Sequence, residues 1–566
     1  MAEHVLRGAK NLRARRYDLK PISMKRTEWA MVLLVFAVGL AIHGSNVLYG
    51  SLGLSGEGVA CVGAQRVLEG QVPYRDFWTV YAPGSYYLLA GLFAVLGSQI
   101  LVARVAAAVL VSLAGACVYG LMRTRTPRWI ALVWSVGVAL ALFPMGERFG
   151  TYPPVVVCIA AALWAASVYF GNRRIVWLIV AGVACSFAIT FKHDVGGYTT
   201  IAIFVTLLIR RIQSESAEES SRTITLLRES AHFLMGCASV AIVVYAVVWI
   251  VAGGDLWRDL VWFPLTDFAA SRSEKFPAIL PVVKNMTSVV RTIEELSWRT
   301  RFAAPAAVFL ASVAQLSLSH RRLAPARFAT QAMLTVAMPL FWFAAHVQVN
   351  THIYTLTVLS AAIGAIWFAD LTDGRSKGSK ARACLIAVVL AFGFLPRPAF
   401  EVARAYFGDH DVAPLNLDRG RGIACDRGTA ISVRNAVNYV REHTEADEVV
   451  YVGTIRHDVV VVSPSIVYFL LDRPIAVRYH ELHPAIADTD SVQAEMVGDL
   501  ERQHVRYAIL WRRFSDQELD AVQQRRENDL PDTGATRMDE YLDANFEQVE
   551  SFGRFEIFRR RESAIR

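Results

Sequence analysis

Residues 99 to 128 read QILVARVAAAVLVSLAGACVYGLMRTRTPR. The apolar part, 99 to 122, is long enough to cross a bilayer core, which takes about 20 residues of helix. Arg123, Arg125 and Arg128 follow at once. Basic residues collect in cytoplasmic connections, so this stretch reads as a membrane span and also sets its direction. Further apolar runs lie near 29 to 44, 129 to 146, 153 to 170, 175 to 191, 195 to 209, 231 to 252, 302 to 318, 328 to 345, 352 to 370 and 383 to 396. Eleven spans are therefore expected. The apolar block from Tyr86 to Gly97 is too short for a span and suits an interfacial or re-entrant helix. Counting it as a span would move Arg123, Arg125 and Arg128 to the outside.

Composition agrees with this class. Of 566 residues, 54% are apolar and 19% charged, and mean hydropathy is +0.35. Soluble domains carry about 25% charged residues and less apolar content, so a disordered chain, a collagen and a small disulfide scaffold are all excluded. The net charge of +8 would suggest nucleic acid in a soluble protein. Here its distribution gives topology instead. Arg7, Lys10, Arg13, Arg15, Arg16, Lys20, Lys25 and Arg26 precede the first span, which reads as uncleaved with its N-terminus cytoplasmic. Arg173 and Arg174, Arg210 and Arg211, Arg321 and Arg322, and Arg375 to Arg382 then fall in inside loops. No nucleic-acid partner is expected.

The resulting plan is an α-helical polytopic membrane protein: a basic cytoplasmic segment (1–28), a bundle (29–396) with long outer loops at 46–99 and 253–301, and an extracytoplasmic tail (397–566). The tail alternates expected strands (448–453, 474–479, 505–511 and a final FGRFEIF) with expected helices (464–471, 491–503, 516–525), which predicts a small α/β domain with a largely parallel sheet. Of seven cysteines, five lie in spans, leaving Cys61 and Cys425 as the outside pair that a bridge could join. With no CxxC and no ligand-spaced histidine, neither a metal nor a cofactor is expected.

Unusual polar residues gather at the outer membrane level. The first loop contains Glu57, Arg66, and then Arg75 and Asp76 within GQVPYRDFW. Two carboxylates beside an arginine above an apolar cavity can act as general base and anion binder; the plainer reading is a solvated loop with a structural ion pair. The tip MGERFGTYPP supplies Glu147, Arg148 and Tyr152, and the hairpin FKHDVGGY supplies Lys192, His193 and Asp194. The hairpin trio can bind phosphate and orient a sugar hydroxyl, or it can be a snorkelling lysine beside a helix cap. His346, Asn350 and His352 read as a polar cavity wall, the aromatic-rich stretch 255–277 as a membrane-lying groove, and Asn285-Met-Thr287 as a chance glycosylation triplet. The tail residues Arg456, His457, Asp458, Arg473, Arg478 and His480 suit acceptor recognition or structure better than a second catalytic centre.

The run EGVACVGAQRVLEGQVPYRDFWTVYAPGSYYLLAGLFAVLG, followed by ARVAAAVLVSLAGACVYGLM, resembles the first outer loop and second span of GT-C membrane glycosyltransferases, relatives of protein O-mannosyltransferases and of lipid A aminoarabinose transferases. ITFKHDVGGYTTIAIFVTLLI is similar to a later hairpin of bacterial members, and SIVYFLLDRPIAVRYHELHP to the outer tail of some. The resemblance implies inverting sugar transfer from a polyprenyl-phosphate donor to a glycan, lipid or protein acceptor on the outer side of the membrane; the basic N-terminus and the sparse, mostly membrane-buried cysteines point to a bacterial inner (plasma) membrane. It implies an acidic pair opening the first loop; here that pair falls on Gly56-Glu57, so only the second acid is present. Glu57 and Asp76 are the expected catalytic carboxylates, and Arg75, Arg148, Lys192, His193 and Asp194 the expected substrate-binding groups. The competing expectations are a lipid-linked sugar flippase or transporter and a catalytically inactive GT-C-like scaffold protein.

Overall fold

The computed structural model describes residues 26–213, 219–268, 289–319, 323–345, 349–373, 377–408, 410–460, 462–526 and 533–562. Most of the basic N-terminal segment, Asn285 and His346 lie outside the described residues, as do the side chains of Asn350 and His352.

Every apolar run becomes a helix. In chain order these are α1 (Arg26–Tyr49), α2 (Gly56–Leu68), α3 (Gly84–Leu96), α4 (Ile100–Arg123), α5 (Arg128–Ala141), α6 (Tyr152–Asn172), α7 (Ile175–Phe191), α8 (His193–Gln213), α9 (Glu219–Ala252), α10 (Val289–Ser319), α11 (Pro325–Ala345), α12 (Val349–Asp373), α13 (Lys377–Phe394) and α14 (Pro396–Phe407). Among the described residues, six helices are both long and apolar enough to cross a membrane, or seven if the bent pair α13–α14 is one span. The expected count of eleven is not confirmed: α5 and α7 have only 14 and 17 residues, and α8 and α11, with 21 residues each, are not among the helices both long and apolar enough. The chain is an integral membrane protein by these helices. Helix α3, with 13 residues, lies in the first loop between α2 and α4.

Small side chains set the packing. Helices cannot gain from apolar burial against lipid tails, so close backbone approach through Gly and Ala supplies the contact. A Cβ on Gly182 of α7 would fall 2.3 Å from the Phe233 carbonyl of α9, and one on Gly236 of α9 2.6 Å from the Ile179 carbonyl. At one end of the bundle, Glu28 pairs with Arg123 (3.1 Å) and Arg128 (2.8 Å), and Arg173 with Glu229 (2.9 Å). The arginines expected at the cytoplasmic surface thus have local carboxylate partners.

At the opposite end, the first loop and the tail pack on one another. The tail comprises β1 (Val412–Pro414), β2 (Ala424–Asp426), α15 (Arg427–His443), β3 (Tyr451–Thr454), α16 (Ile466–Leu471), α17 (Asp490–Arg502), β4 (Tyr507–Trp511), α18 (Asp516–Arg526), α19 (Arg537–Asn545), β5 (Phe546–Phe552) and β6 (Phe555–Arg560). The main sheet has order β3-β4-β6-β5, in which only β3–β4 is parallel. The expectation of a largely parallel sheet is corrected: a tight turn at Gly553, φ +62°, joins β5 to β6 as an antiparallel hairpin. Residues 474–479 also form no strand; they contribute a single parallel bridge, Val450 to Ile475. Cys61 and Cys425 are free thiols in one shared apolar core.

Candidate active site

The first loop is fastened to the bundle by a buried ion pair. Arg104, at the start of the second turn of α4, donates from Nε to Glu57 Oε1 at 2.7 Å and from Nη2 to Oε2 at 2.9 Å. Neither side chain is more than 1% exposed. The Gly53 amide also donates to Glu57 Oε2 (3.1 Å), and Arg104 reaches the carbonyls of Gly50 (3.3 Å) and Ser51 (3.1 Å). Both oxygens of Glu57 are therefore engaged, and the group expected as the catalytic base holds the loop in place. Arg104 was not singled out from the sequence. Its signal was an arginine inside an apolar run, which at membrane depth calls for an anionic partner.

Arg148 lies beside this pair. Its Nη2 donates to Ser51 Oγ at 2.7 Å, and a Cβ on Gly53 would fall 2.7 Å both from Arg148 Cδ and from Glu57 Cβ. The Arg148 Nε is buried and makes no hydrogen bond among the described residues, while the side chain as a whole is 39% exposed. Glu147 approaches to 3.9 Å from Arg148. Burial pushes the Glu147 carboxyl above the ordinary range, against the lowering pull of Arg148. A Cβ on Gly56 would meet nothing within 4 Å, so the position where the resemblance requires an acid faces open space.

Arg75 and Asp76 pair with each other rather than with Glu57. Arg75 Nε and Nη2 donate to Asp76 at 2.8 and 2.6 Å, and the Val72 amide adds a bond of 2.7 Å. The Arg75 guanidinium holds the Asp76 carboxyl below its usual value. The turn is stiff: the Tyr74 amide bonds the Phe77 carbonyl (2.8 Å), and buried Tyr74 takes φ +71°, a costly conformation for a bulky residue.

The third group sits at the α7–α8 turn. Lys192 Nζ bonds Asp194 Oδ2 (3.0 Å) and lies 5.6 Å from the centre of the Tyr152 ring, an ammonium-over-aromatic contact. Asp194 also accepts from the Val195 amide (2.7 Å), and His193 makes no side-chain hydrogen bond among the described residues. Gly84, at the start of α3, sits against Thr190, where a Cβ would lie 2.6 Å from the carbonyl. The first loop and this hairpin therefore share one face of the bundle.

The tail closes that face. Ile466 donates its amide to the Leu54 carbonyl (2.9 Å), Arg478 donates to the Tyr74 carbonyl, and Tyr81 donates to Glu481 (3.4 Å). His480 is buried 3.5 Å from Arg66, whose guanidinium stacks 5.0 Å from the Phe77 centre. Burial, reinforced by Arg66, pushes His480 well below the ordinary imidazole value, so it is a neutral wall. His457 is likewise internal to the tail, bonded to Tyr451 (2.6 Å) and Asp539 (2.6 Å). Among the described residues, no three His, Cys, Asp or Glu side chains converge on a metal-sized point.

Residues 80–250, under a third of the chain, match the family model described as dolichyl-phosphate-mannose-protein mannosyltransferase. No curated protein sequence matches the chain. Among solved structures, the fold is similar to the oligosaccharyltransferase AglB of Archaeoglobus fulgidus in complex with an inhibitory peptide and a dolichol-phosphate (TM-score 0.54, 12% identity, 96% of this chain and 75% of that one). It is similar also to the A. fulgidus enzyme in complex with Zn and sulfate (TM-score 0.53, 13% identity, 89% and 70%). It is similar also to ArnT of Cupriavidus metallidurans bound to undecaprenyl phosphate (TM-score 0.46, 12% identity, 95% of this chain and 99% of that one). Residues 80–250 thus match the mannosyltransferase family model, and they lie within a membrane bundle of the GT-C fold.

Proposed function

We propose that this protein is a membrane glycosyltransferase that moves a sugar from a polyprenyl-phosphate donor to a glycan, lipid or protein acceptor. The face closed by the tail is taken as the outer face of a bacterial inner membrane, with the N-terminus cytoplasmic. The observation that carries this reading is Arg148: a half-exposed guanidinium held by Ser51 beside the buried Glu57–Arg104 pair, with Nε unbonded among the described residues. The family match over 80–250 and the dolichol-phosphate complex of the A. fulgidus neighbour support the donor class.

In the proposed reaction the acceptor oxygen attacks the anomeric carbon from the face opposite the phosphate, and the bond from that carbon to the phosphate oxygen breaks. The polyprenyl phosphate leaves with the electron pair, and the configuration inverts. Arg148 and Lys192 stabilise the charge that grows on the phosphate; fixed cations act strongly where water is excluded. Arg75, His193 and Asp194 orient the sugar. The acceptor proton passes to a carboxylate. Glu57, with both oxygens engaged, positions the loop. Glu147, raised by burial, is the better base, and Asp76, lowered by Arg75, the second choice.

A second reading, donor binding without transfer, is favoured by the missing acid at Gly56. Reconstituted protein supplied with radiolabelled polyprenyl-phosphate sugars separates these readings. Labelled product supports transfer, donor translocation without product supports a flippase, and donor binding with neither supports a scaffold and overturns the transferase reading.

A further inference from the structure

Between α5, α12 and α13 runs an apolar groove of about 160 Å³, lined by Trp134, Gly137, Ala361, Ala387, Ala391 and Phe394 among others. Small side chains open it. The Trp134 ring is held against α12, where a Cβ on Gly364 would fall 2.9 Å from it, so the wall is fixed. The groove occupies the end of α5 and of α13 and the first half of α12, which is the half nearest the tail.

Two further features bear on what lies in it. Thr357 lines the groove, is 2% exposed, and its Oγ1 has no hydrogen-bond partner among the described residues. A buried hydroxyl without an acceptor is costly, and a bound group can supply the acceptor. Leu395 ends the groove where the chain bends by 55° into α14, which carries Arg397 and Glu401 and leaves Phe400 63% and Phe407 89% exposed. An amphipathic helix of this kind lies in a membrane interface, so the groove mouth sits at headgroup level beside Arg397, whose Nε donates to Glu401 at 2.8 Å while its side chain is 58% exposed.

We propose that this groove holds one chain of an ester-linked anionic phospholipid, with an ester carbonyl accepting from Thr357 and the phosphate facing Arg397. An isoprenoid chain has no acceptor to offer Thr357. The site stands whether or not the protein transfers sugar.

The test is native mass spectrometry of the delipidated full-length protein with phosphatidylglycerol, its ether-linked dialkyl analogue and a polyprenyl phosphate. The ester lipid should be retained at least fivefold better than the other two. Thr357→Val should remove the ester preference, and Arg397→Ala should weaken phosphatidylglycerol more than phosphatidylcholine, whose choline already offsets its phosphate charge. Gly137→Leu, whose side chain starts in open space, should abolish retention at an unchanged melting temperature. Equal retention of ester and ether lipids, tighter retention of the polyprenyl phosphate, or normal binding to well-folded Gly137→Leu would each overturn the proposal.

Discussion

Glu57 and Arg104 meet side-on through hydrogen bonds of 2.7 and 2.9 Å, both side chains buried, so the first loop is anchored to α4 by a pair of charges that cannot be separated cheaply. Removing one partner leaves the other charge buried alone, at a cost of about 3–5 kcal/mol. Arg104→Met and Glu57→Gln should each lower the melting temperature in detergent sharply. The double variant should recover part of that loss. If Glu57→Gln melts like the unmodified protein, the anchoring role is wrong.

Gly56 faces open space at the first turn of α2, one residue before Glu57. An aspartate there would put a carboxylate where the resemblance calls for one, with no clash and with a gain of about 0.3–1 kcal/mol from the helix N-terminus. Gly56→Asp should therefore fold normally and raise transfer in the reconstituted assay several-fold. An unchanged rate in a well-folded variant would mean that the acid at this position is not what limits the chemistry.

The sequence carried the bundle and much of the tail because apolar runs and charged loops are local signals. Each apolar run became a helix, and Glu57, Arg75, Asp76, Arg148, Lys192 and Asp194 do share one end of the bundle. What stayed hidden depends on contacts between distant residues. Nothing near Glu57 in sequence names Arg104 as its partner, and nothing near 474–479 shows that a β5–β6 hairpin takes the place beside β4. Among the contacts that dock the tail on the first loop is a close approach at one glycine, which nothing local in the sequence marks.

That glycine is Gly58. A Cβ there would lie 2.0 Å from the Ile466 amide nitrogen and 2.6 Å from the Ser465 carbonyl carbon, both backbone atoms that cannot swing aside. Gly58→Ala should push α16 off α2 and break the bond from Ile466 to Leu54, costing about 1–3 kcal/mol. Limited proteolysis should then cut the first loop and the tail faster while the spans remain protected. Unchanged cleavage would show that the tail docks elsewhere.

Glu147 gives the pH signature that separates the candidate bases. Its carboxyl is raised by burial, whereas Asp76 is lowered by its bond to Arg75. For a raised acid, the stabilising contribution is fully present below the unfolded-state value and is lost as pH rises through the folded value; for Asp76 the contribution is present above the unfolded value and lost as pH falls through the lowered one. A base works only when deprotonated, so transfer by Glu147 should rise with pH across a limb above the ordinary carboxylate range. Glu147→Gln should remove that limb and most of the rate, while Asp76→Asn should leave the limb in place. A limb that persists in Glu147→Gln but disappears in Asp76→Asn would assign the proton transfer to Asp76 instead.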